Sequence, residues 1–177
     1  WHLDNTNKSF MPISRTTYFI QFHAITSGYY SNIKLYADIS NSLSYSGIVG
    51  AAIYNNNPSF ILPLNPTPGA PATGPPISYG IKTYNNSNMQ NTYIDISFIN
   101  PIDLSINELY WLAIGISNES IPLSLAYNEH YDISFGIVRK LENTFNPSGP
   151  TIFTVIGDNT RQDHNAYWFR LYEPSAN

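Results

Sequence analysis

Cysteine is absent from the 177 residues, which excludes disulfides, thiol catalysis and Cys-ligated zinc. Charge is scarce: Asp, Glu, Lys and Arg make up 11% of the chain, against roughly 25% in typical soluble domains. With a net charge of −4 and no basic cluster, the electrostatic footprint of nucleic-acid binding is missing. No apolar run approaches the roughly 18 residues of a membrane-spanning helix, so no membrane insertion is expected. No window of about 11 residues holds the i, i+3, i+4, i+7 apolar spacing of an amphipathic helix.

What is present is a neutral polar cover over an apolar core. Hydrophobic residues make up 42% and aromatics 15% of the sequence, enough for a core and against disorder. With so few charges, the surface must be made of Asn, Ser, Thr and Tyr. An A/T-rich coding sequence would raise Asn, Ile and Lys together. The chain has 21 Asn and 22 Ile but only Lys8, Lys34, Lys82 and Lys140, so the neutral surface reads as selected. The length suits one domain, burying about 70% of the unfolded surface. Residues 1–15 read as a polar, irregular lead-in and 16–177 as the single domain. The start, Trp1-His2-Leu3-Asp4, has neither Met nor an apolar signal segment, so the expectation is a piece of a longer polypeptide.

The stretch Thr92–Ser117 organises the pattern. Ile94, Ile96 and Phe98 alternate with Tyr93, Asp95 and Ser97, the period that puts one face in a core and the other in water. Asn100-Pro101 is expected to break the ladder, since proline lacks an N–H. Leu109 to Ile114 is apolar at every residue, as in a central strand buried on both faces.

Elsewhere, Thr16–Ala24 sets Tyr18, Ile20, Phe22 and Ala24 on one face. In 32–39 Ile33, Leu35, Ala37 and Ile39 point inward and Asn32, Lys34, Tyr36 and Asp38 outward. Gly50, inside the strand Ile48–Tyr54, marks a bulge or a close backbone approach. Seven of the 13 prolines lie between Pro58 and Pro76, a long surface connection laid along an edge strand or carrying function. Further strands are expected at Ile77–Tyr84, Ile121–Tyr127, Tyr131–Val138, Thr151–Ile156 and Ala166–Tyr172. The fold class is therefore all-β, a jelly-roll-like antiparallel β-sandwich of about ten short strands.

Two segments carry a family resemblance. Ala51-Ala52-Ile53-Tyr54 is followed by the polar turn Asn55–Pro58, and Tyr110-Trp111-Leu112-Ala113-Ile114 follows the aliphatic-polar run before it. The span from Ile33 to Ser117, with the closing aromatic strand Tyr167–Tyr172, resembles the jelly-roll-like β-sandwich modules of bacterial surface proteins and of phage and viral fibre heads. This chain departs from their pattern in its longer proline loop. The resemblance implies a fold, an extracellular place on a virion or bacterial surface, and a homotrimer; it implies no ligand.

Catalytic constellations are not apparent. There is no G-x-S-x-G, and no strand carries two acids on one face as a glycosidase cleft requires. Glu129-His130-Tyr131-Asp132 reads as a polar turn before a strand. Asp158, Asn159, Asp163, His164 and Asn165 offer oxygen ligands suited to calcium, but at no EF-hand spacing, so no metal or cofactor is expected. The three sequons at Asn7, Asn85 and Asn118 fall within the about four that this composition produces by chance.

Tyrosine is the remaining signal. Tyr29, Tyr30, Tyr45, Tyr54, Tyr84 and Tyr127 sit at expected strand ends or in loops beside Asn and Ser, a pairing that suits sugar or protein recognition as well as plugging the sandwich ends. The candidate ligand-binding residues are Tyr29, Tyr30, Tyr84, Asn85, Asn86 and Tyr127, with Asp158 and Asn159 as a weaker group. The expectation is a non-catalytic recognition module, the receptor-binding head of a virion fibre or spike engaging a host cell-surface glycan or protein. The alternatives are a carbohydrate-binding or adhesion module of a bacterial surface protein and a polysaccharide-degrading enzyme.

Overall fold

The computed structural model describes residues 9–13, 17–38, 46–58, 70–72, 74–85, 92–116, 123–129, 138–141, 165–167 and 169–174. These form β1 (Ser9–Ile13), β2 (Thr17–His23), β3 (Gly28–Asp38), β4 (Ser46–Asn57), β5 (Ala70–Pro71), β6 (Ser78–Asn85), β7 (Thr92–Leu104), β8 (Leu109–Ile116), β9 (Leu123–Glu129), β10 (Val138–Leu141), β11 (Asn165–Tyr167) and β12 (Phe169–Tyr172). Every pairing is antiparallel. The described residues are all-β, in two sheets.

The first sheet has the order β1-β9-β3-β7, with β11 on β9 and β12 on β3. The second has the order β10-β2-β8-β4, with β6 and β5 on successive stretches of β4. From β1 to β4, and again from β6 to β11, each strand lies in the opposite sheet from the one before it.

Alternation fills the space between the sheets. Ile33, Leu35, Ile94, Ile96, Ile102 and Leu104 of the first sheet share one buried cluster with Tyr18, Ile20, Val49, Ile53, Leu112 and Ile114 of the second. Each such side chain contributes about 1.5–3 kcal/mol by leaving water. As its composition predicts, β8 is central, between β2 and β4, and buried on both faces. Its other face carries Trp111 and Ala113, packed with Phe19, Ala52 and Tyr54. Burial there pushes the Tyr54 phenol up to about 12, because a phenolate would lose its hydration.

Three features differ from the sequence reading. Ser9–Ile13, inside the expected irregular lead-in, is a strand paired with β9. Pro101 does not end its strand: β7 runs through it to Leu104. The ladder to β3 does break, because Ser97 pairs with Asn32 and Ile102 with Tyr30. Residues 98, 99, 100 and 101 thus face Ser31 alone, and Pro101 sits where no N–H is needed.

Gly50 makes no bulge, since its ladders to Ile81 and Gly115 are regular. A close approach occurs at Gly80, where a Cβ would overlap the Ser97 carbonyl and lie 2.7 Å from Ile96 Cγ2. There β6, at an edge of the second sheet, meets β7 of the first. Ser78 Oγ donates to the Asn100 carbonyl at 2.8 Å and accepts its N–H at 3.2 Å, satisfying backbone groups in the stretch of β7 that β3 leaves unpaired.

The end of the proline-rich segment follows the edge, as one expectation had it. Ala70–Pro71 pairs with Asn56 and Asn57 of β4, and Ala72 N–H donates to Asn55 O at 2.8 Å. The expected strands at 131–137 and 151–156 lie outside the described residues.

Candidate recognition surface

The first sheet turns β3, β7 and β12 outward together. Because Ile33 and Leu35 point into the core, Asn32, Lys34 and Tyr36 face out, as Tyr93, Asp95 and Ser97 do on β7. Register sets them side by side: Tyr36 opposite Tyr93, Lys34 opposite Asp95, Asn32 opposite Ser97. On the other side of β3, Arg170 lies opposite Lys34 and Tyr172 opposite Asn32.

Each row has its own chemistry. Tyr36 and Tyr93 meet edge to face, centroids 5.1 Å apart at 76°, a geometry the ring quadrupoles favour. Asp95 accepts from Asn32 Nδ2 at 2.9 Å and lies 3.8 Å from Lys34 Nζ. That ion pair is solvent-exposed and contributes little stability; its effect is to hold the carboxylate in place. Ser31 Oγ donates to Asn32 Oδ1 at 2.6 Å, which orients the amide. The Tyr172 ring takes two cations, Lys34 Nζ at 4.6 Å and the Arg170 guanidinium at 5.0 Å from its centroid, and cation–π attraction orders all three.

Some aromatic area remains open. Tyr93 is 48% and Tyr29 61% exposed. Tyr29 lies opposite Asp103, at the far end of β3 from Tyr36. The face thus offers exposed tyrosines at both ends of a row of amide, hydroxyl and compensated charge. Such a surface can stack on apolar ring faces and hydrogen-bond polar edges.

The predicted residues fall in several places. Tyr29 belongs to this face. Tyr30 points the other way: it is buried, and its hydroxyl bonds Thr26 Oγ1 and, at 3.2 Å, the Thr26 carbonyl, so it closes one end of the sandwich. Tyr84 and Asn85 end β6 and pair with Gly47 and Ser46. The β4–β8–β2 register sets them at the end opposite Tyr29 and Tyr30. Tyr127 lies in β9, opposite Ser9 and Tyr167. Asn86, Asp158, Asn159 and Asp163 lie outside the described residues.

The structure therefore does not gather the predicted set into one place. The sequence reading did not include Tyr36, Tyr93 and Tyr172 among its candidates, although it had the alternation that turns Tyr36 and Tyr93 outward. Comparison with known protein families, curated proteins and solved structures finds no match for this chain.

Proposed function

We propose that this chain is a non-catalytic recognition module, the receptor-binding head of a virion fibre or spike, and that its ligand is a host cell-surface glycan or protein. The observation that carries the reading is the outward face of the first sheet. It bears exposed tyrosines beside the oriented Asn32 amide and the Asp95 carboxylate paired with Lys34, on a sheet rather than on loops. Such a face is easily desolvated and gives contact area at low entropic cost.

The sandwich is proposed to be a jelly roll. The support is the pairing of eight strands in nested order: β1 with β9, β2 with β8, β3 with β7 and β4 with β6. That is a long hairpin rolled into two sheets, and β10, β11 and β12 add to it. In a homotrimer three weak sites would act together through avidity.

A bacterial adhesion or carbohydrate-binding module is the second reading. The placement of Tyr29, Tyr93 and Asn32 along one sheet face favours it, since a row of exposed rings and an amide suits an extended sugar chain. Glycan-array and cell-attachment assays test both with Tyr93→Ala and Tyr29→Ala. Both variants should lose binding while keeping the thermal midpoint. Unchanged binding in both would remove this face from the function.

A further inference from the structure

Where β2 turns into β3, the sandwich opens on a cleft of about 450 Å³ between the segment 22–26 and β12. Its floor is apolar: Phe22, Leu104 and Phe169 are buried there, with Phe22 and Phe169 edge to face at 5.5 Å. The turns beside it are tied together, since Asn107 N–H donates to Ala24 O at 2.8 Å and Ala24 N–H to Glu108 O at 3.1 Å. The cleft is thus preformed, and it lies at the small end of ligand-pocket volumes.

One charged group reaches the inward side. Along β12, Phe169 is buried and Leu171 packs against the same core. Alternation carries Glu173, one residue past the strand, onto that side as well. Gly28 fixes the place independently. It pairs with Leu104, whose side chain lies in the core, and directly opposite residues share a face. A Cβ built on Gly28 would stand 3.4 Å from Glu173 Oε1 and 3.9 Å from both Cε2 and Oη of Tyr30. The carboxylate and the Tyr30 hydroxyl therefore face one point beside Leu104, which Gly28 leaves open. Both are acceptors there, because the Tyr30 proton goes to the Thr26 carbonyl at 3.2 Å. Among the described residues Glu173 has no ion pair or hydrogen bond. Arg170 also borders the cleft, but its guanidinium stacks on Tyr172 at the outward face.

We propose that the cleft binds a small primary amine with an apolar body. Its hydrocarbon part lies on Phe22, Leu104 and Phe169, and its ammonium between Glu173 and the Tyr30 hydroxyl. Two acceptors beside an apolar floor suit a group with three N–H donors. The inference is independent of the attachment role, because the outward face of the first sheet takes no part in it.

The test is a titration of the whole chain with 3-phenylpropylamine, an ammonium at neutral pH, and separately with the uncharged 3-phenylpropan-1-ol of similar shape. The backbone amide resonances of 22–30 and 169–173 are followed. The amine should move them and bind at least about fivefold tighter than the alcohol, as expected of a partly solvated charge-assisted hydrogen bond. Glu173→Gln should erase that preference, keep the affinity for the alcohol and leave the thermal midpoint unchanged. Should that variant unfold, Ile25→Lys decides, because Ile25 lines the cleft and is 62% exposed. The added ammonium should weaken the amine several-fold more than the alcohol. No resonance shift up to about 10 mM ligand, equal affinity for amine and alcohol, shifts confined to 93–97 on the outward face, or a preference that survives the deciding variant would overturn the proposal.

Discussion

The indole N–H of Trp111 donates to Oδ1 of Asn56 at 2.8 Å, tying the centre of β8 to the end of β4. The same oxygen accepts from Gln21 Nε2 of β2 at 3.5 Å, so one amide joins three strands on the outer face of the second sheet. Trp111 has no exposed surface, and an indole N–H buried without a partner is costly. Asn56→Ala should therefore lower stability by about 1–3 kcal/mol. In denaturant titrations, Trp111→Phe should largely abolish the additional cost of Asn56→Ala, since the orphaned donor is then gone. Additive costs would show that the bond contributes nothing.

Gly80 marks the contact between the sheet edges. A methyl group there meets the Ser97 backbone, which cannot rotate away as a side chain would. Gly80→Ala should cost about 1–3 kcal/mol and lower the thermal midpoint by about 2–4 °C per kcal/mol in a chain of this size. Ser78→Ala, which removes both bonds to Asn100, should be destabilising by a similar amount. A Gly80→Ala protein as stable as the parent would mean that the two edges separate at little cost.

Tyr54 gives a pH dependence with a definite sign. Its folded-state value is raised from 10.0 to about 12, so the folded state holds its proton where the unfolded chain has lost it. The stability involved is fully present below pH 10 and is lost as pH rises toward 12, amounting to roughly 2–3 kcal/mol. Between those limits the parent should lose stability faster than Tyr54→Phe. Chemical denaturation at several alkaline pH values checks it; parallel losses would refute the buried-phenol account.

Tyr29 and Tyr30, adjacent in sequence, should behave oppositely on truncation. Tyr29→Ala removes an exposed ring and should leave the midpoint almost unmoved while weakening attachment. Tyr30→Ala empties part of the core end and should cost about 3–5 kcal/mol, by analogy with other buried aromatics. Thermal melts run beside a cell-attachment assay separate the two. If both unfold the domain, Tyr29 is structural too.

Assembly is checked by light scattering at micromolar concentration. The proposed trimer requires a mass near three times the 19.9 kDa chain. A monomer mass would remove avidity from the reading and leave any site to act singly.

Alternation alone determined a good deal of this protein. The period of two sorted 17–23 onto its two faces and assigned the inward and outward residues of 32–36 and 93–98 correctly, because a strand's side chains alternate whatever it pairs with. The unbroken apolar run after Leu109 marked the central strand, since a strand covered on both faces leaves little water for polar side chains to meet. Pairing across long stretches of chain was not legible. Periodicity says which face a residue takes but not which strand lies beside it. Nothing local to Gly80 shows that Ser97 presses on it, and nothing local to Tyr84 shows that it lies at the opposite end from Tyr29. Tyr36 and Tyr93, separated by 57 positions in sequence, become an aromatic pair only when β3 and β7 align. Side-chain direction is a property of a strand by itself; neighbourhood is decided by register, and register depends on the packing of the whole sandwich.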